Sequence, residues 1–221
     1  MTSHEPLSPA DHLLLQPVRT AATAATTLIG LTCVLSAIDT WADWHAYEVV
    51  EDYVAGAPGV GVSDLVGADN ISMGAGLLYV LAYLAAGIVF LVWLWRARRN
   101  AEDLRPDGHR LRRGWTIGSW FTPVVSFWFP FRIVEDVWHA SRPDGVVASS
   151  APVRRWWFLW VATTVAGLWL RAVSRGEPSV DMLREIAVAN TVTTALQCAA
   201  GALVFLVIRQ ITQWQSIPRR A

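Results

Sequence analysis

From Gly74 to Trp95 the chain reads GAGLLYVLAYLAAGIVFLVWLW, without a single charged residue. No other feature constrains the fold as strongly. A helix of about 20 apolar residues crosses the roughly 30 Å hydrocarbon core of a bilayer. Three more runs read the same way: Thr20 to Trp41, uncharged until Asp39; RWWFLWVATTVAGLWLRAVS, Arg155 to Ser174; and EIAVANTVTTALQCAAGALVFLVIRQ, Glu185 to Gln210. Composition agrees, since 16% of residues are charged where a soluble domain carries about 25%. The expected fold is therefore an all-α integral membrane bundle. Its four spans fall at about 20–41, 74–95, 155–174 and 186–208, in one membrane domain over 20–210, with polar tails at 1–19 and 211–221.

The stretch GWTIGSWFTPVVSFWFPFRIVEDVWHASRPDG, Gly114 to Gly145, is harder to place. It is apolar, but Pro123 and Pro130 each remove a backbone donor and disturb helix geometry. Basic residues retained near spans mark the cytoplasmic side. All 18 basic residues are Arg. With four spans, 15 of them share one side and only Arg171, Arg175 and Arg184 lie opposite; a fifth span through this stretch splits them 11 to 7. Four spans with both termini cytoplasmic are expected, and residues 114–141 become a proline-broken, Trp-rich re-entrant or interfacial element between the second and third spans. Whether 114–131 span, re-enter or lie on the membrane stays open. After Pro130, Ile133, Val134, Val137 and Trp138 alternate with Arg132, Glu135, Asp136 and His139. That pattern predicts one amphipathic helix ending at SRPDG, of the kind that lies in the interface plane.

Other signals are local. Residues 42–73 hold six acids and no base, and Gly56, Pro58, Gly59, Gly61 and Gly67 predict turns there. Arg98 with Glu102, and Arg99 with Asp103, are spaced to pair weakly on a helix surface that Pro106 to Gly108 ends. Trp41 and Trp44, Trp93 and Trp95, Trp156, Trp157 and Trp160, and Trp169 fall at span ends, where Trp anchors in the headgroup belt. Cys33 and Cys198 sit in apolar runs as small packing residues. With the first Arg at Arg19, no cleaved secretory leader is expected. Balanced charge, 18 basic against 18 acidic, gives no reason to expect a nucleic-acid partner.

RRNAEDL after a span, then GWTIGSWFTPVVSFWFPF, then EDVWHAS, resembles the bacterial family known as domain of unknown function 4328, a set of multi-pass membrane proteins. The resemblance runs from about Leu77 to Val207 and rests on Arg99, Asn100, Trp115, Gly118, Trp120, Pro123, Trp128, Pro130, Glu135 and Trp138. It implies a bacterial membrane location and brings no biochemical activity.

Candidate chemistry is sparse. No span carries a central His, as a membrane haem would need. Asp39, Asp43 and His45, with Glu48 beyond, are the nearest approach to a cation site, although an acidic outer loop also follows from topology alone. Asn190, Thr194 and Gln197 share one face of the last span, suited to interhelical hydrogen bonds, and Ala195 and Ala199 form a small-xxx-small pair. No Ser–His–Asp set, HExxH, P-loop or nucleotide-binding glycine pattern occurs. The expectation is a protein without catalytic residues, cofactor or resident metal. Its contacts with anionic lipid headgroups, a protein partner or a second copy would run through Arg96, Arg98, Arg99, Arg110, Arg112, Arg113, Trp120, Pro123, Trp128, Pro130, Arg132, Glu135 and Trp138. Two further classes stay in view. One is a small channel or transporter subunit whose 114–131 segment lines a path; the other is an embedded redox or hydrolytic enzyme.

Overall fold

The computed structural model describes residues 15–173 and 179–217, the side chains of 169–173 excepted. The tail up to residue 14, Arg175, Arg219, Arg220 and the side chains of Trp169 and Arg171 lie outside the described residues.

The described chain is helical, with no strand: α1 Arg19–Val54, α2 Val62–Leu104, α3 Trp115–Phe121, α4 Phe129–Ser141, α5 Ala151–Val173 and α6 Val180–Gln215, with a 3₁₀ turn at Val125–Phe127. Three of these, α1, α2 and α6, are long and apolar enough to cross a membrane. Only 28% of the most apolar window of each is buried inside the protein, so the rest of that apolar surface faces outward, as lipid-facing helices require.

These helices are longer than the expected spans. At 1.5 Å per residue, α1 and α6 measure about 54 Å and α2 about 64 Å, roughly twice a bilayer core. The acidic 42–73 segment, expected to be turn-rich in its second half, is mostly helix. Its turn is confined to residues 55–61, where Gly56 and Gly59 take positive φ of 70° and 87°. Asp64 restarts the helix by accepting a hydrogen bond from the Gly61 N–H at 2.8 Å, and Gly67 lies inside α2.

α1 packs against α2 and α6, and α6 against α5. On α2 the buried positions Ala68, Ala75, Ala82 and Ala86 form one stripe, and on α1 Ala25, Thr32 and Ser36 do the same. Small side chains let the backbones approach closely. At Gly201 of α6 an added Cβ would stand 3.1 Å from Cys33 Sγ and 3.4 Å from Ile29. That glycine, rather than Ala195 and Ala199, makes the close contact with α1; the two alanines are exposed.

α3 and α4 fold against the end of the bundle formed by the C-terminal part of α2, the start of α5 and the end of α6. The two prolines act differently. Pro123 follows α3 and begins the turn, whereas Pro130 sits in the first turn of α4, where its missing N–H costs nothing. α4 forms over the expected residues, but its apolar face does not lie in the membrane interface. Ile133, Val134, Val137 and Trp138 are buried among Trp93, Leu94, Ala97, Val207, Ile208, Ile211 and Trp214. Trp93, Trp156 and Trp157, expected in the headgroup belt, are buried in this same core, because they cover the face that α3 and α4 present. Trp41, by contrast, is exposed, as a belt residue would be.

Candidate functional site

The basic end of the bundle carries the residues that the sequence singled out, and the fold divides them into two groups. Arg98, Arg110 and Arg113 are tied inward. Arg98 is 1% exposed. Its Nε donates to Glu102 at 2.9 Å, and one terminal nitrogen donates to the Leu111 carbonyl at 2.7 Å. Its other terminal nitrogen stands 3.9 Å from Asp136. Arg110 holds Asp136 twice, through its backbone N–H at 3.0 Å and its Nε at 2.7 Å. It also reaches Glu135 at 2.8 Å. Arg113 closes the lattice on Glu102, Nε to Oε2 at 2.7 Å. A guanidinium buried this deeply must be paired and hydrogen-bonded, and here that requirement pins the 105–114 loop and α4 to the end of α2. Arg98 was expected at the headgroups; instead it sits inside the protein.

Glu135 also accepts from Ser150 Oγ at 3.0 Å. Burial raises its carboxyl, but the Arg110 and Ser150 hydrogen bonds outweigh that and hold it below the ordinary range. For Arg110 burial works downward, and contact with Glu135 and Asp136 overcomes it to raise the guanidinium. The His109 imidazole is pushed down, first by burial and then by the nearby charge of Arg98.

Beside this lattice lies a neutral clasp that the sequence reading missed. The Asn100 side chain accepts from the Gln16 backbone N–H at 2.7 Å and donates to the Gln16 carbonyl at 3.0 Å, as a strand partner would. It also donates to Gln215 Oε1 at 3.1 Å. The Gln215 amide in turn donates to the Ala97 carbonyl and to Ser141 Oγ, each at 2.8 Å. Four separated parts of the chain thus meet at two amides. The available signal was Gln215 standing in the row of Ile208 and Ile211, a polar residue on a buried face.

Aromatic rings fill the rest. Trp120 packs edge-on against Phe90, Trp157 and Trp160 at 5.6, 6.0 and 5.6 Å. Trp138 meets Trp214 at 4.7 Å. Trp157 donates to the Phe127 carbonyl at 3.0 Å, fixing the turn to α5.

The second group faces outward. Arg99, Arg112 and Arg132 are exposed and make no ion pair among the described residues, so the Arg99–Asp103 pair does not form. Among the described residues Arg96 reaches only the Pro17 carbonyl, at 3.2 Å. Pro123 is exposed, whereas Pro130 is buried. Around Pro123 the element ends in an apolar tip, with Phe121 74% exposed, Val124 65%, and Ile117, Phe127 and Trp128 near 40%. Val124 takes φ 68° and ψ −58°, and Val125 N donates to Pro123 O at 2.8 Å. This is a γ-turn with a β-branched residue in a disfavoured conformation, costing about 1–3 kcal/mol.

At the opposite, acidic end the polar residues join helices. Asn190 donates to Asp43. Thr194 and Thr40 hydroxyls meet at 2.8 Å, Tyr79 donates to Gln197 at 2.8 Å, and Trp44 donates to Thr191 at 3.0 Å. The His45 ring stacks on Trp41 at 5.5 Å. No group of three metal-ligating side chains gathers among the described residues.

No curated protein and no solved structure matches the chain. The family model for DUF4328, a domain of unknown function, matches residues 59–213, from the α1–α2 turn to the last turn of α6. That match takes in the Arg lattice, the Trp–Pro element and every helix but α1, and the chain belongs to the DUF4328 family.

Proposed function

We propose that the protein is a non-enzymatic module of the bacterial cell membrane. In this reading α1, α2, α5 and α6 all cross the bilayer, with both termini in the cytoplasm, and the Trp–Pro element rests against the cytoplasmic leaflet to engage lipid or a protein partner. One observation carries it: an exposed, strained apolar tip projects from an element that is otherwise clamped by the buried Arg98–Asp136 pair and by indoles packed edge-on. A protein gains nothing in water from holding Phe121 and Val124 outward on a rigid support. In the leaflet the same side chains are solvated by acyl chains. The unpaired Arg99, Arg112 and Arg132 at this end fit the phosphate layer, and the concentration of Arg at one end of the bundle fits a cytoplasmic placement.

The test is the depth of the tip. A spin label at Val124→Cys, with Cys33 and Cys198 replaced by Ala, is measured in lipid nanodiscs against the same label at Val147→Cys, in the exposed loop before α5. The tip label is expected to be shielded from an aqueous nickel chelate and accessible to oxygen, and the loop label to show the reverse. Equal aqueous access at the two positions would reject leaflet insertion. It would favour a water-lined path along 114–131, as a channel or transporter subunit requires.

A further inference from the structure

We infer that the protein binds an anionic phospholipid in the cleft between α1 and α6 at the basic end of the bundle, with Arg19 and Arg209 clamping the lipid phosphate. The cleft has a volume of about 300 Å³. Arg19 and Arg209 stand on its rim, Thr23 and Gln213 add polar groups, and Phe205 and Ile208 supply an apolar wall. Among the described residues no carboxylate lines it. Arg19 is oriented by its Nε donating to Ser216 Oγ at 3.0 Å, and its terminal nitrogens make no hydrogen bond among the described residues. Arg209 is exposed and has no ion-pair partner among the described residues. Two unneutralised guanidiniums facing one cleft favour an anion, and the planar fork of Arg suits phosphate oxygens. The free N–H groups of the first turn of α1, which holds no acid, add to the positive potential.

Depth identifies the occupant. Arg19 and Arg209 are the first charges beyond the apolar stretches of α1 and α6, so they lie at headgroup level. From there the apolar wall continues into the outward faces of the two helices, where Leu31, Val34, Phe205 and Leu206 are exposed. A diester phosphate with acyl chains satisfies both halves of the site; a soluble phosphate satisfies only one. The site is independent of the Trp–Pro tip, which lies on other helices.

The experiment is native mass spectrometry of the full chain released from nanodiscs of equimolar phosphatidylcholine and phosphatidylglycerol. Wild-type protein is expected to retain phosphatidylglycerol preferentially. Arg19→Gln with Arg209→Gln should lower that retention by about tenfold or more, and the double Lys variant should keep most of it. Thr23→Trp, which fills the cleft without removing charge, should also lower it, and Phe121→Ser with Trp128→Ser should leave it unchanged. Equal retention of the two lipids, or full retention by the Gln variant, would overturn the proposal. Displacement by millimolar inorganic phosphate would overturn the lipid assignment in favour of a soluble phosphate ligand.

Discussion

At the basic end, α2 meets its neighbours through Trp93, Leu94, a buried Arg98 and a buried Asn100; at the acidic end the same helix meets α1 through Ala68, Ala75 and Ala82. The first end has large rings, a charge lattice and amides that each serve several partners. The second has small side chains and hydrogen bonds between pairs of side chains, such as Trp44 to Thr191. The difference follows from what each end must accommodate. Two long helices lying side by side need only close backbone approach, and alanine supplies it. Seating α3, α4 and their loop across the end of a bundle leaves backbone and charge that must be satisfied internally.

The comparison breaks most visibly if Asp136 is removed. Asp136→Ala leaves Arg98 and Arg110 without their shared carboxylate, a loss of about 1.5–3 kcal/mol, the range for hydrogen bonds to a charged group. Thermal unfolding in detergent should show it. Hydrogen exchange should lose protection in α4 and the 105–114 loop while the α1–α6 contact near Asn190 keeps its own. A uniform loss along the bundle would mean that the two ends form one cooperative unit.

Acid should act on the same end. His109 is held below its ordinary value, so its neutral form contributes stability above about pH 6.5 that is lost as pH falls. Glu135 is also held down, and its contribution, present above about pH 4.3, is lost on further acidification. Both act in one direction, so hydrogen-exchange protection of α4 and the 105–114 loop should fall from pH 7 to pH 4. His109→Gln should remove the upper part of that fall. A rise in protection there on acidification would contradict the assignment.

Smaller effects sharpen the contrast. Gly201→Leu drives a side chain against Cys33 and Ile29 and should cost about 1–3 kcal/mol, with faster alkylation of the Cys33 thiol as α1 and α6 part. Trp44→Phe removes one neutral interhelical bond, to Thr191, and should cost only about 0.6 kcal/mol. A loss as large as that of Asp136→Ala would erase the distinction between the ends.

The long helices were legible in the sequence because length and apolarity are local properties, and so was α4, whose apolar spacing is clear between Ile133 and Trp138. What covers an apolar face is not local. The pattern of α4 is the same whether lipid or Trp93 and Trp214 lie against it, and the same ambiguity hid the burial of Trp156 and Trp157. Asp136 reads as part of a polar face until Arg110, 26 positions earlier, is folded onto it. Arg99, Arg112 and Arg132 stayed outside as their sequence context suggests, while Arg98, one residue from Arg99, points in on the other side of the helix.

The clasp at Asn100 has a consequence for biogenesis. Its amide serves Gln16, at the threshold of α1, and Gln215, at the end of α6, while Gln215 also reaches Ala97 and Ser141. The ribosome delivers Asn100 long before α6 exists. Until α6 arrives, an amide fated for burial has half its partners missing, and α1 is held at this end only by its contacts with α2. Completion of this one knot therefore requires α2, α4 and α6 to be in place around the start of α1. A chain that stops before α6 would keep this amide one partner short.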